Sequence, residues 1–214
     1  MKRWIMLVPV LIAATAVALP EQQLVPNWNF SEKPDPLKFW RYTYPHQQDQ
    51  YSKNHEYVKV VQQPGKGNVV EFACPLKQGN MGGIMFETAF IKCEPGATYK
   101  AEVEASPKDM RMMIMVEAWV PLPDSINIKP GLRVWPAENG LPRLMMCGRK
   151  RGEQHHGSWK TIRETYTVPK TVNLALKDTP PTHISVKVYA DVPNVKGKPI
   201  SNAYVASVRL TKSK

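Results

Sequence analysis

The segment Thr98–Ala105 alternates strictly between apolar and charged residues, and this pattern constrains the fold more than any other feature of the chain. The segment reads TYKAEVEA, so that every second side chain is apolar and the intervening ones are mostly charged. A period of two is that of a β-strand with one buried face and one face in water. We therefore expect this segment to lie in a sheet that covers a core on one side only.

Several other segments also read as short strands, and turn signals separate them. They are Tyr57–Val61, Val69–Cys74, Ile84–Cys93, Arg111–Trp119, Trp159–Val168, His183–Ala190 and Ala203–Leu210, with a shorter candidate at Leu24–Phe30. No segment has the period of a long amphipathic helix, and 20 prolines are spread through the 214 residues. Short strands at turn-punctuated intervals predict an all-β, antiparallel β-sandwich that forms a single domain.

Arg111–Trp119 differs from the other strands because both of its faces are largely apolar. Glu117 and Trp119 lie on the second face, opposite the one that would contact the core. A strand of this kind is expected in the centre of a sheet, with its second face either covered or forming the floor of a groove.

The stretch Val120–Ser158 shows neither the apolar period of a helix nor that of a strand, and we interpret it as a long loop insertion between two strands. Loops of this length in compact domains are usually functional or disordered. The stretch carries Arg133, Trp135, a basic cluster at Arg149–Arg151 and the pair His155-His156. Adjacent residues of an extended chain point in opposite directions, so the histidines are not expected to share a metal ion. The insertion can border a groove or fill it as a lid.

The first residues have the layout of a secretory signal peptide. Lys2 and Arg3 precede an apolar run, and small residues follow at Ala16–Ala18. We expect residues 1–18 to be removed and residues 19–214 to form the β-sandwich, secreted or periplasmic, with no stable membrane insertion after cleavage. The net charge of +11 would bring an exported chain to anionic glycans or surfaces sooner than to nucleic acid.

The three cysteines are too few for a scaffold built on disulfides. Export permits one bridge, and Cys74–Cys93 is the pair to test first because both residues lie in ordered-looking segments. The cysteine spacings match no zinc site, so no metal site is predicted.

Five segments, taken in order, resemble bacterial carbohydrate-binding jelly-roll modules of the galactose-binding-like, cellulose- and xylan-binding type. The opening Leu24–Phe30 (LVPNWNF) is similar to their first strand, and Trp40 lies where they commonly have a tryptophan. The other segments are Glu94–Tyr99 (EPGATY), Gly157–Lys160 (GSWK), Tyr166–Pro169 (YTVP) and Asn202–Leu210 (NAYVASVRL). The resemblance covers most of residues 19–214 and implies a jelly roll.

Such modules often hold a structural calcium ion between a carboxylate near the opening strand and an aspartate in the closing strand. The matching positions here are Ser31 and Ala206-Ser207, and Glu32 is displaced by one residue. Calcium prefers charged oxygen ligands, so we expect no cofactor.

The resemblance implies a secreted, non-catalytic carbohydrate-binding protein whose partner is a polysaccharide or glycan, and the basic residues are compatible with an anionic one. Aromatic rings can stack on sugar rings, and basic groups can hold acidic sugars. The candidate carbohydrate-binding residues are Trp119, Trp135, Glu117, Arg133, Arg163 and Tyr42.

Two alternatives remain, namely a structural or protein-interaction sandwich of an exported assembly and a polysaccharide lyase. No pair of carboxylates placed for hydrolysis and no nucleophile elbow is evident, so an enzyme is not predicted.

Overall fold

A computed structural model describes residues 21–43, 57–75, 83–121, 134–138, 141–154, 157–174, 177–191 and 198–213. These residues form fourteen strands. In chain order the strands are β1 (Trp40–Thr43), β2 (Val58–Gln63), β3 (Gly67–Pro75), β4 (Ile84–Thr88), β5 (Ile91–Lys92), β6 (Thr98–Ser106), β7 (Arg111–Pro121), β8 (Val134–Glu138), β9 (Leu141–Gln154), β10 (Lys160–Thr167), β11 (Val172–Leu174), β12 (Lys177–Thr179), β13 (His183–Asp191) and β14 (Ile200–Lys212). Residues 1–20, which include the predicted signal peptide, lie outside the described part.

The strands form two main sheets and one small hairpin. The front sheet has five strands in the order β10-β6-β14-β3-β2, and all of its pairs are antiparallel. The back sheet has seven strands, with the order β1-β4-β13-β7-β9-β8 and with β5 paired to β13. Strands β11 and β12 pair with each other and, among the described residues, with no other strand. The predicted fold class, an all-β antiparallel sandwich of jelly-roll type, is confirmed.

The core lies between the two sheets and is built from the apolar face of each alternating strand. In β6 the apolar residues of the alternation face the core as predicted, because Tyr99, Ala101 and Val103 are buried. Four aromatic residues fill one part of this core. Trp40 stacks on Phe86 at a centroid distance of 4.4 Å, while Phe30 and Phe72 approach Phe86 at 6.1 and 6.0 Å.

The prediction that Val120–Ser158 is a loop is wrong. Strand β9 takes up much of it and pairs antiparallel with β7 from Arg111↔Gln154 to Pro121↔Arg143. Strand β8 extends the sheet by pairing with β9. The basic run Arg149–Arg151 lies inside β9, paired with Val116, Met115 and Ile114. The charged residues of β9 interrupt the apolar alternation by which a strand is recognised in a sequence. The strand forms all the same, because its backbone pairs with β7 whatever its side chains are. His155 and His156 lie outside the described residues.

The opening segment also differs from the prediction, because residues 25–30 form turns instead of a strand. Only Gln23 makes an isolated antiparallel bridge, to Thr211. The backbone φ angles of Asn27 and Phe30 are 50° and 57°, in the left-handed region that interrupts a strand. The segment instead runs along β14, where the amide of Val208 donates to the carbonyl of Trp28 at 2.9 Å.

Cys74 and Cys93, the pair to test first for a disulfide, are not bridged in the structure, because both thiols are free. Cys74 of β3 pairs in register with Ser201 of β14, near the end of β6 at Ser106. The amide of Cys93 donates to Thr182, near the opposite end of β6, where Tyr99 bonds the Glu94 amide. A nine-residue strand separates these ends, and it spans roughly 25–30 Å. A disulfide needs Cα atoms within about 7 Å of each other.

Candidate functional site

The wet face of the front sheet carries rows of charged and hydroxyl side chains across three neighbouring strands. Glu102 of β6 is the centre of one row, because it pairs in register with Arg163 of β10 and with Arg209 of β14. Lys100 lies between Thr165 and Thr211 in the next row along the strands. The apolar residues between these positions point into the core, so the sequence alternation itself places the polar groups on one open surface.

Trp28 closes this surface at the side of β14. Its segment is fixed to β14 by two backbone hydrogen bonds, from Leu24 to Leu210 and from Val208 to Trp28, both 2.9 Å long. The indole is half-buried and packs against the core. The guanidinium carbon of Arg209 lies 4.2 Å from the centroid of the Trp28 ring, a cation–π contact that fixes a planar set of hydrogen-bond donors.

Two adjoining grooves cross this surface. The larger has a volume of about 470 Å³ and is lined by Glu21, Gln23, Trp28, Lys100, Glu102, Arg209 and Thr211. The smaller has a volume of about 240 Å³ and is lined by Glu102, Glu104, Thr161, Arg163, Ser207 and Arg209. They share Glu102 and Arg209, so together they form one strip, which we call the front groove. From Lys100 to Glu104 the strip follows β6 for roughly 13 Å.

Cations and carboxylates are interleaved along the front groove. Lys100 Nζ lies 3.3 Å from Glu21, Arg163 Nε donates to Glu102 at 2.7 Å, and Lys66 Nζ pairs with Glu104. Each groove is lined by two carboxylates and two cations, so neither has an excess of one charge. Such a surface offers donors and acceptors in alternation, an arrangement that suits a ligand rich in hydroxyl groups.

Arg163 is the only one of the six predicted site residues that the structure places in the front groove; its side chain is 68% exposed. Trp119 and Glu117 lie on β7 of the back sheet, on the far side of the sandwich. The three predicted residues whose side chains the structure describes are therefore split between the two sheets and do not form one site.

Trp119, a predicted carbohydrate-binding residue, offers no surface for a sugar to stack on in this structure, because its side chain is fully buried. Its indole Nε1 donates to Ser185 Oγ at 2.8 Å, and Ser185 Oγ donates to Glu87 at 2.6 Å. The ring of Phe90 covers Trp119 edge-on at a centroid distance of 5.0 Å. The indole is thus a packed, hydrogen-bonded part of the back sheet.

Glu117 is also buried, and it pairs with a buried cation that the sequence analysis missed. Lys187 of β13 is fully buried, with its Nζ in contact with Glu117 and 3.4 Å from Glu87. The same Nζ lies 5.3 Å from the centroid of the Trp119 ring. We call Glu87, Glu117, Ser185, Lys187 and Trp119 the back-sheet network. Because buried charges are costly unless paired, its main physical role is mutual compensation.

The remaining predicted residues are placed only through their backbones or not at all. Tyr42 of β1 pairs in register with Phe86 of β4, and Trp135 of β8 pairs with Arg143 of β9. The side chains of Tyr42 and Trp135 lie outside what the structure describes. Arg133 lies outside the described residues. The binding roles of these three residues stay predictions.

The positions matched to a calcium site carry other interactions. Ser31 Oγ donates to Asn29 at 2.8 Å, and Glu32 lies 4.0 Å from Lys38 Nζ. Among the described residues, no group of three or more His, Cys, Asp or Glu side chains is arranged to hold a metal ion. The expectation that the protein needs no cofactor stays a prediction. The described part of the chain also has no helix that is long and apolar enough to span a membrane.

Comparisons with known proteins confirm the fold and leave the family open. No protein-family model matches the chain, and no curated protein matches it. A cyclase from Fischerella sp. TAU is similar in structure, with a TM-score of 0.50, 11% identity and coverage of 90% of this chain and 97% of the cyclase. The enzymatically active domain of bacteriophage CBA120 tailspike protein 4 matches with a TM-score of 0.51, 10% identity and coverage of 89% and 21%.

Carbohydrate-binding modules are also among the structural neighbours. A Clostridium thermocellum endo-1,4-β-D-xylanase, solved as two modules with xylohexaose, matches with a TM-score of 0.48 and 12% identity, over 90% of this chain and 28% of the xylanase chain. This chain therefore spans about a quarter of the xylanase and a fifth of the tailspike chain. At these identities the likeness concerns the fold, and the predicted resemblance to jelly-roll modules is confirmed at that level.

Proposed function

We propose that this protein binds a polysaccharide, without catalysis, along the front groove. The observation that supports this most is the continuous strip in which Glu102 and Arg209 join two grooves lined by alternating donors and acceptors. Hydroxyl groups of a sugar both donate and accept, so a surface with both kinds of group can pair with several hydroxyls at once. The strip is long and open along the strands, which suits an extended chain.

The charge pattern of the front groove favours a neutral glycan over the anionic one that the net charge suggests. Lys100, Arg163 and Lys66 are all engaged by carboxylates of the same surface. An acidic sugar would have to compete with Glu21, Glu102 and Glu104 for these cations. The net charge of +11 then concerns solubility and general attraction to anionic surfaces.

Export through the predicted signal peptide is part of the proposal, because a polysaccharide-binding protein of this kind meets its ligand outside the cytoplasm. N-terminal sequencing of the protein from its host, together with cell fractionation, tests this point. A first residue near Leu19 in the exported fraction supports it, and an intact Met1 in the cytoplasmic fraction contradicts it.

Affinity electrophoresis tests glycan binding directly. The protein is run through gels that contain xylan, β-glucan or galactan as neutral polymers, or polygalacturonate as an acidic one. We expect retention by at least one neutral polymer and none by polygalacturonate at high salt. The same acidic polymer, followed at ultraviolet wavelengths that report unsaturated product, also tests the lyase alternative.

Variants of the shared pair test whether the front groove is the site. Arg209→Ala removes a donor set, and Glu102→Gln removes the charge of the central acceptor, so each should weaken binding about tenfold. Lys59→Ala is the matched control, because Lys59 pairs with Glu71 on the same sheet, outside both grooves, and is 66% exposed. Equal retention of all three variants and the wild type would exclude the front groove. Lack of retention by every polymer would favour the protein-interaction alternative, which a pull-down from the host surface fraction would test.

A further inference from the structure

Phe39 is an exposed aromatic side chain in a backbone conformation that phenylalanine rarely adopts. Its side chain is 43% exposed, and among the described residues only Ile200 is another exposed large apolar residue. The φ angle of Phe39 is 72°, in the left-handed region that disfavours residues with a Cβ atom. Strained residues of this kind persist where the surroundings enforce them, and they concentrate at functional sites.

The surroundings of Phe39 fix its position from both sides. The amide of Ala89 donates to the Phe39 carbonyl at 2.7 Å. Asn27 Nδ2 donates to the carbonyls of Pro36 and Lys38 at 2.7 and 3.4 Å. The next residue, Trp40, is buried and stacked in the core. The ring of Phe39 is therefore presented to solvent from an anchored backbone.

A lysine amine lies over the exposed ring, and a carboxylate lies beside that amine. Lys38 Nζ lies 5.1 Å from the ring centroid, and the same amine lies 4.0 Å from Glu32. Lys33 and Ser31 on the same loop are also exposed. Among the described residues, no other large apolar side chain of this loop is exposed, so the ring differs from the contiguous apolar patch that marks most protein–protein interfaces. It matches a sugar unit instead, because a pyranose has an apolar C–H face and a rim of hydroxyls.

We propose that Phe39 is a second glycan contact, which stacks on the C–H face of one sugar unit while Lys38 and Glu32 bond its hydroxyls. This inference rests on the proposed function and places a contact outside the front groove. Phe39 is anchored to the turn after β4 in the back sheet, whereas Trp28 of the same loop lines the front groove. A long polymer that reaches both contacts gains affinity through its high effective concentration at the second one.

The strain at Phe39 supplies a test that separates binding from folding. Glycine adopts a positive φ without steric cost, so Phe39→Gly should unfold at the same temperature as the wild type or higher. The variant should also bind the retaining polymer about threefold to tenfold more weakly, the range expected for the loss of one aromatic stacking contact. Phe39→Trp keeps a flat ring and should restore retention. Ile200→Ala is the matched control, because it also removes an exposed apolar side chain.

The outcome is measured by affinity electrophoresis of these four proteins against the polymer that retains the wild type. Weaker retention of Phe39→Gly with unchanged thermal stability, and normal retention of Ile200→Ala, supports the inference. If the wild type is retained and Phe39→Gly is retained equally, the second contact is refuted while the front-groove proposal stands. If the wild type is retained by no polymer, the proposed function fails, and this inference fails with it.

Discussion

Replacing Lys187 with methionine should destabilise the protein strongly, because it removes the cation from the back-sheet network. Methionine has a similar length but no charge, so the carboxylates of Glu87 and Glu117 would stay buried without the amine that both contact. Breaking a buried ion pair by removing one partner costs about 3–5 kcal/mol. The loss of the cation–π contact with Trp119 acts in the same direction.

This loss is a large fraction of the free energy of unfolding of a typical domain, which is about 5–15 kcal/mol. Urea denaturation followed by tryptophan fluorescence measures it as a lower midpoint at an unchanged slope. Lys59→Met is the control, because Lys59 is 66% exposed and pairs with Glu71 at 3.0 Å. An exposed pair contributes at most about 1 kcal/mol.

A second variant separates the charge from the packing. In the triple variant Glu87→Gln, Glu117→Gln and Lys187→Met, no charged member of the network remains. Removing one partner of a buried ion pair is costly because the remaining charge is left uncompensated. The triple variant leaves no such charge, so it should be more stable than Lys187→Met alone. If Lys187→Met lowers the free energy of unfolding by less than about 1 kcal/mol, the charges are hydrated, and the assignment of a buried back-sheet network is refuted.

Three further predictions concern the core and its edges. Burial raises the pKa of Cys74 to about 12, so a Cys93→Ser, Cys147→Ser variant should react with a thiol reagent at pH 8 only after unfolding; rapid labelling of the native state would contradict this. Burial also raises the pKa of Tyr189 from 10.0 to about 12; its contribution to stability is present below pH 10 and is lost as pH rises toward 12, and Tyr189→Phe should flatten that decline. Gly83→Ala should lower stability by about 1–3 kcal/mol, because φ is +74° and the new Cβ would lie 2.3 Å from a carbonyl oxygen of β13; an unchanged melting temperature would refute this.

The sandwich was predictable because alternation reports which face of a strand is buried. Thr98–Ala105 and Ala203–Leu210 both fall within strands whose apolar positions face the core. Strand β9 was missed, because the stretch Leu141–Gln154 includes the charged run Arg149–Arg151. Its neighbour β7 supplies the pairing, and that partner cannot be identified from the strand's own residues.

The front groove was hidden because its residues look like an ordinary wet face. The alternation predicts that Lys100 and Glu102 lie on the wet face of β6, and this is correct for the strand taken alone. The site arises only when register places Arg163 and Arg209 on either side of Glu102. Register is a property of strand pairing, so a single sequence carries little signal for it.

The sequence predicts that the apolar second face of β7 is either covered or the floor of a groove, and in the structure it is covered at Trp119. The deciding residue is Lys187, which sits at a polar position of β13 and would be expected in water. It is instead fully buried beside Glu117. The sign that could have suggested this is the lone carboxylate on an otherwise apolar face, since a buried charge requires a partner.

Nuclear magnetic resonance titration tests directly whether the front groove binds a glycan. The ¹⁵N-labelled protein is titrated with a neutral oligosaccharide of the polymer that retains it, and backbone amide shifts are mapped onto the strands. We expect the largest shifts to cluster at residues 100–104 of β6 and 207–211 of β14, beside Arg163. Shifts confined to β7 and β13 of the back sheet, or no shifts with any neutral glycan, would contradict it.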